Sequence, residues 1–271
     1  MDGSVGVIED LRSRIARIGR GHESNCQQSV LPFGVPAIDD VLPSGGLAIG
    51  ALHEVSSSGP QGEHATAATL FIAGILARLS GPVIWVVERN DLYPPALAAV
   101  GLTPARVIFV EARKAEILQA AEDAVRARGL GGVAVEISGR LTMTASRRLQ
   151  LAAEQSGVTT LLLRRSRKHD DPAVSTPSAA TSRWRVVSLP SPPPLTDLPD
   201  TPGLSRAWWR VDLIRCRGAD GASWVVEACD GAGQITLAQG PVSVREDRVC
   251  ANDGPAGRTT RPSADERPYS Q

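Results

Sequence analysis

Four runs of this chain, 83–87 (VIWVV), 107–110 (VIFV), 133–137 (VAVEI) and 158–163 (VTTLLL), stay largely apolar from end to end instead of alternating. A strand can be apolar on both of its faces only if both are covered, which is the condition of a parallel sheet with helices on either side. The intervening segments 65–79, 95–100, 112–128 and 142–155 read as helices, rich in alanine and leucine and closed by Gly, Ser or Pro. The expectation is an α/β fold, a mostly parallel sheet flanked by helices, in one main domain, since a single core extends to about 250 residues.

The lead-in to this rhythm, LPFGVPAIDDVLPSGGLAIGALHEV from Leu31, has glycines at 34, 45, 46 and 50 for tight turns and a strand over 51–55. A loop, SSSGPQGE, then joins this strand to the helix from Ala65. That is the layout of a phosphate-binding P-loop, in which backbone amides cradle phosphates, a lysine neutralises them and a hydroxyl ligates magnesium. Aligned on Gly62, Ser57 takes the first glycine's place, Glu63 the lysine's and His64 the hydroxyl's. Aligned on Gly59, Ala65 takes the lysine's place and Thr66 the hydroxyl's. The only lysines, Lys114 and Lys168, are distant in sequence. A carboxylate in place of the cation opposes each nearby phosphate by several kcal/mol at an effective dielectric near 20, so the expectation is no tight triphosphate binding.

After the fourth apolar run the composition shifts. Prolines crowd 166–203, with SPPP at 191–194, and only 183–189 (RWRVVSL) reads as a strand. Strands at 207–216, 223–229 and 234–238, separated by RGADGAS and DGAG turns, predict an antiparallel C-terminal extension. Residues 5–18 carry Val5, Ile8, Leu11, Ile15 and Ile18 on one stripe of an amphipathic helix, and the chain beyond 244 is polar and aperiodic. The expected organisation is a helix and linker over 1–30, a core domain over 31–243 and a disordered tail over 244–271.

The formal charges cancel, so any polyanion must be met by a local patch. No apolar run approaches the roughly 18 residues of a membrane span, and no signal peptide opens the chain, so a cytoplasmic protein is expected. Cys26, Cys216, Cys229 and Cys250 form no metal-ligand spacing, and a hairpin could bring Cys216 opposite Cys229 without a disulfide in a reducing compartment. Ser56, Ser57 and Ser58 beside His53 and His64 lack the GxSxG setting of a hydrolase nucleophile.

Gly34, Ile38, Asp39, Leu42, Gly45, Gly46, Leu47, Gly50 and Glu54 resemble the segment that precedes the P-loop in RecA. The GALHEV strand, the missing lysine, TSRWRV after a polar loop, and WWRVDLIRCRG followed by SWVVEACDGAG make the body from 31 to 237 similar to the ImuA family, RecA-related proteins of damage-inducible mutagenesis cassettes. The resemblance implies a RecA-like fold and a cytoplasmic helper of SOS-induced translesion synthesis, with an ImuB-type Y-family protein, an error-prone DnaE-type polymerase and RecA as candidate partners. It places Glu88 where RecA-like ATPases keep the water-activating glutamate, and Glu136 where they keep the magnesium-linked acid. With the lysine gone both are vestigial candidates, no cofactor is expected, and weak ATP and magnesium binding stays open.

A positive patch follows the fifth parallel strand: Arg164, Arg165, Arg167, Lys168 and His169, joined by Arg183, Trp184 and Arg185 beyond the loop. Arginines on phosphates and an aromatic face on bases are the means of single-strand binding, and in RecA-like proteins these loops face DNA. The alternative is a solvated cluster beside a core tryptophan. Arg140, Arg147 and Arg148 form a second basic group, read as a solvated helix face. Trp208 and Trp209 alternate along one strand, so one is expected in the core and the other is a candidate partner anchor.

Together these predict a non-catalytic adaptor without a resident metal. Two rivals remain at this stage: an active DNA-dependent ATPase whose P-loop is completed by a neighbouring subunit, and an inhibitor of cell division or recombinase assembly.

Overall fold

A computed structural model describes residues 29–57, 65–165, 176–195, 198, 201–203 and 205–239. These lie in one compact unit, Met1–Gly240. The N-terminal helix expected over 5–18 and the tail from 244 fall outside the described residues.

The chain enters through β1 (Val30–Leu31), a short α1 (Pro36–Asp39) and β2 (Leu47–Ala48), with β1 and β2 forming their own two-stranded sheet. Asp39 holds this entry together: its carboxylate accepts from the Phe33 amide at 2.7 Å and the Gly34 amide at 2.9 Å. Strands and helices then alternate: β3 (Leu52–Ser57), α2 (Ala65–Ala77), β4 (Val83–Val87), α3 (Pro94–Ala99), β5 (Val107–Glu111), α4 (Ile117–Arg126), β6 (Gly132–Ser138), α5 (Met143–Ser156), β7 (Thr159–Arg165) and β8 (Ser182–Leu189). The chain closes with β9 (Trp208–Cys216), β10 (Ala222–Glu227) and β11 (Thr236–Leu237). One nine-stranded sheet has the order β11-β10-β9-β8-β3-β7-β6-β4-β5, parallel from β5 to β8 and antiparallel from β8 outward. This is the α/β, RecA-like arrangement with a C-terminal antiparallel extension.

The continuous apolar runs are explained by two cores, one on each face of the sheet. Trp85, Val87, Leu161 and Leu163 pack on one side with Phe71 and Ile72 of α2, while Val86, Val133, Val135 and Leu162 pack on the other with Ile117, Val125 and Leu149. Gly74 lets α2 sit close to the C-terminal extension, for a Cβ there would come within 2.4 Å of the Cys229 sulfur. Cys216 and Cys229 are both free thiols, and burial pushes the Cys229 thiol up to about 12.

Two expectations are corrected. The helix expected over 112–128 begins at Ile117, because the Ala112 amide donates to the Val87 carbonyl and 113–117 is spent in a turn closed by the Arg113 carbonyl. Trp208 and Trp209 are both buried, at 6% and 2% exposure, because β9 lies inside the sheet between β8 and β10 and both of its faces are covered at this point. Neither ring is available as an exposed anchor.

The Trp208 indole Nε1 is buried with no hydrogen-bond partner, whereas the Trp184 Nε1 donates to Ser182 Oγ at 2.7 Å. Removing an unsatisfied donor relieves a desolvation cost, and removing a satisfied one leaves an acceptor behind. Trp208→Phe is therefore expected to stay within about 1 kcal/mol of wild type in urea unfolding, while Trp184→Phe loses about 2 kcal/mol or more.

Candidate functional site

The parallel strands β3, β4, β6 and β7 bring Ser57, Glu88, Ser138 and Arg165 to the same edge of the sheet, the carboxyl edge where open α/β sheets take their ligands. Strand β3 precedes α2, as read from the sequence, and 58–64 between them lie outside the described residues. Of the P-loop candidates, Ser57 ends β3 and is buried, while Gly59, Gly62, Glu63 and His64 lie outside the described residues.

In β6, Glu136 is buried at 4% exposure and both of its oxygens are engaged. The Trp85 indole donates to Oε1 at 2.9 Å, and Arg165 Nε lies 2.5 Å from Oε2. Burial pushes the Glu136 carboxyl above its ordinary value while Arg165 pulls it back. Burial works against the Arg165 guanidinium too, but Glu136 and Asp91 outweigh it and raise its pKa. The outer nitrogens of Arg165 form a fork on Asp91, at 3.0 and 2.8 Å, so one guanidinium ties the end of β7 to β6 and to the segment after β4. Glu88 accepts from Ser138 Oγ. A cleft of about 240 Å³ opens beside this cluster, lined by Thr66, Thr69, Asp91, Tyr93 and Arg165 among others.

Of the positive patch expected beyond β7, the described members Arg164, Arg165, Arg183 and Arg185 are taken up by internal pairs. Arg164, 1% exposed, lies 3.1 Å from Glu54 Oε1 and donates to the Gly139 carbonyl at 2.8 Å. Arg183 reaches the other Glu54 oxygen at 3.2 Å and the Thr176 carbonyl at 2.6 Å, and Ser178 also donates to Glu54. Arg185 pairs with Asp212 at 3.0 Å. Trp184 is 1% exposed, packed among Phe33, Phe71 and Trp224, so its ring presents no face to a base. The core alternative for that tryptophan is the one the structure has. Arg167 and Lys168 lie outside the described residues. In the second basic group Arg148 binds Glu122 at 2.7 Å, while Arg140 and Arg147 stay exposed with no ion pair among the described residues.

Sequence reading missed Glu54, Asp91 and Asp212 as the acids that consume this patch. Their partners lie far away in the chain, and no local spacing marks them. Among the described residues no group of three His, Cys, Asp or Glu side chains is placed to hold a metal, and no helix is long and apolar enough to cross a membrane.

No protein-family model matches the chain. Proteins named ImuA from two strains of Caulobacter vibrioides, NA1000 / CB15N and ATCC 19089 / CIP 103742 / CB 15, are each 40% identical to it over 208 residues, which is 73% of this chain and 83% of theirs. That likeness takes in most of both proteins, and the chain belongs to the ImuA family.

Proposed function

We propose that this protein is a non-catalytic RecA-fold adaptor of SOS-induced translesion synthesis and mutagenesis. It works in the cytoplasm with an ImuB-type Y-family protein and an error-prone DnaE-type polymerase, and it contacts single-stranded DNA. Family membership supports the mutagenesis setting, and the observation that carries the non-catalytic half is the Arg165 bridge. The acid at the magnesium-linked position, Glu136, is held by Arg165 and Trp85, and the same guanidinium forks onto Asp91. A divalent cation would have to displace a buried guanidinium from a carboxylate, and breaking such a pair leaves an uncompensated charge. The sequence also offers no P-loop lysine. These residues do not suit a nucleotide with its magnesium.

The test is ATP turnover by the purified full chain, with and without single-stranded DNA. Wild type is expected to hydrolyse ATP no faster than Glu88→Ala/Glu136→Ala, while forming a complex with the ImuB-type protein in size-exclusion chromatography. Magnesium-dependent turnover above that control would sink the non-catalytic reading, and failure to form the complex would sink the adaptor reading.

A further inference from the structure

The cations expected to meet DNA that lie among the described residues are paired with carboxylates, yet the same edge of the sheet carries others. Arg89 follows β4, Lys114 follows β5 and Arg140 follows β6, and these three strands are neighbours in the order β6-β4-β5. All three side chains are exposed, and among the described residues none has a hydrogen-bond or ion-pair partner. Strands lie about 4.8 Å apart, so the loops leaving three adjacent strands gather on one short stretch of surface. The Lys114 ammonium confirms the closeness of two of them, lying 3.8 Å from where a Cβ on Gly139 would stand, one residue before Arg140.

The acids on this edge are largely engaged. Glu88 accepts from Ser138, Asp91 and Glu136 hold Arg165, and Glu116 holds Arg113. Glu88, bonded only to that neutral hydroxyl, and Glu111 at the end of β5 have no ion pair among the described residues, so three unpaired cations face two unpaired acids. The loop that carries Arg89 ends in Tyr93, 70% exposed, the most exposed of the large hydrophobic side chains among the described residues. Unpaired cations track a phosphate backbone, and an exposed aromatic ring is a platform on which any base can stack. An acidic peptide would use the cations and leave the ring idle.

We infer that Arg89, Lys114 and Arg140, with Tyr93, form a binding surface for single-stranded nucleic acid along the β6-β4-β5 edge. This rests on the single-strand contact proposed above and assigns it to residues.

The experiment is fluorescence anisotropy of a labelled oligothymidylate titrated with the full chain at several salt concentrations, with polyglutamate as competitor. Arg89→Ala/Lys114→Ala/Arg140→Ala is expected to lower affinity at low salt at least ~10-fold and to flatten the slope of log K against log salt by about 2, at ~0.7 per phosphate contact. Tyr93→Ala lowers affinity and leaves the slope unchanged. Arg128→Ala/Arg217→Ala, which removes two exposed arginines elsewhere, changes neither. Every altered side chain is exposed, and matching thermal melts confirm that each variant is folded. A wild-type slope in the triple variant overturns the surface while leaving the DNA contact standing. Equal competition by polyglutamate shows a site for acidic peptides instead. No binding by wild type at low salt overturns both the surface and the proposed DNA contact.

Discussion

Glu54→Ala is expected to destabilise the fold by roughly 3–5 kcal/mol, a fall of about 10 °C in Tm for a domain of this size. Glu54 is 1% exposed in β3, and it is the shared anion for Arg164, also 1% exposed, and for Arg183. Removing it strips the buried Arg164 guanidinium of the carboxylate 3.1 Å away, and losing one partner of a buried ion pair is what makes such losses large. Ser178 loses its acceptor as well, so the segment that returns the chain to β8 is loosened at the same time. The cost belongs to a buried charge that has lost its carboxylate and not to a surplus of attraction in the pair. Glu54→Leu/Arg164→Met, which removes both charges at similar volume, is therefore expected to recover most of the loss in urea unfolding. If the double variant is as unstable as Glu54→Ala, the ion pair is not the source of the effect.

That cluster also shows where reading the sequence stops. The strands were legible because burial on both faces leaves a mark on every residue of a run, and 83–87 matches β4 residue for residue. The strand before 58–64 and the helix after it were legible because each is local. The partners of the arginines were not: Glu54 meets Arg164 from 110 positions away, and Asp91 meets Arg165 from 74. A cluster of arginines looks alike in sequence whether it faces solvent or a carboxylate delivered by another strand. The tryptophans failed for a related reason. Alternation along β9 correctly puts Trp208 and Trp209 on opposite faces, but it says nothing about whether the second face is covered, and here both are. The unpaired Arg89, Lys114 and Arg140 are spread over three loops and become a group only through the strand order.

Lowering the pH from about 6.5 to about 4 is expected to remove roughly 3 kcal/mol of stability through one side chain, His53. His53 is 1% exposed in β3, beside Glu54, and burial lowers its pKa from 6.5 to about 4. The hydrogen bonds specify a neutral ring. Nε2 faces the Ala48 carbonyl at 2.7 Å and must carry the proton, so Nδ1 accepts from the Ser182 hydroxyl at 2.7 Å, and that hydroxyl in turn accepts from the Trp184 indole. The unfolded chain takes up a proton at this histidine below about 6.5, while the folded chain resists until about 4. The stabilisation is thus complete above the unfolded pKa and is lost as pH falls through that window. Glu136, its pKa raised by burial, acts in the opposite sense, so the raw pH curve mixes the two. The difference between wild type and His53→Gln separates them. Urea midpoints measured from pH 8 to 4 should fall steeply in wild type and more shallowly in the variant, with the two curves converging toward pH 4. Curves that stay parallel across that range would mean that His53 is already charged in the fold, or is reached by water.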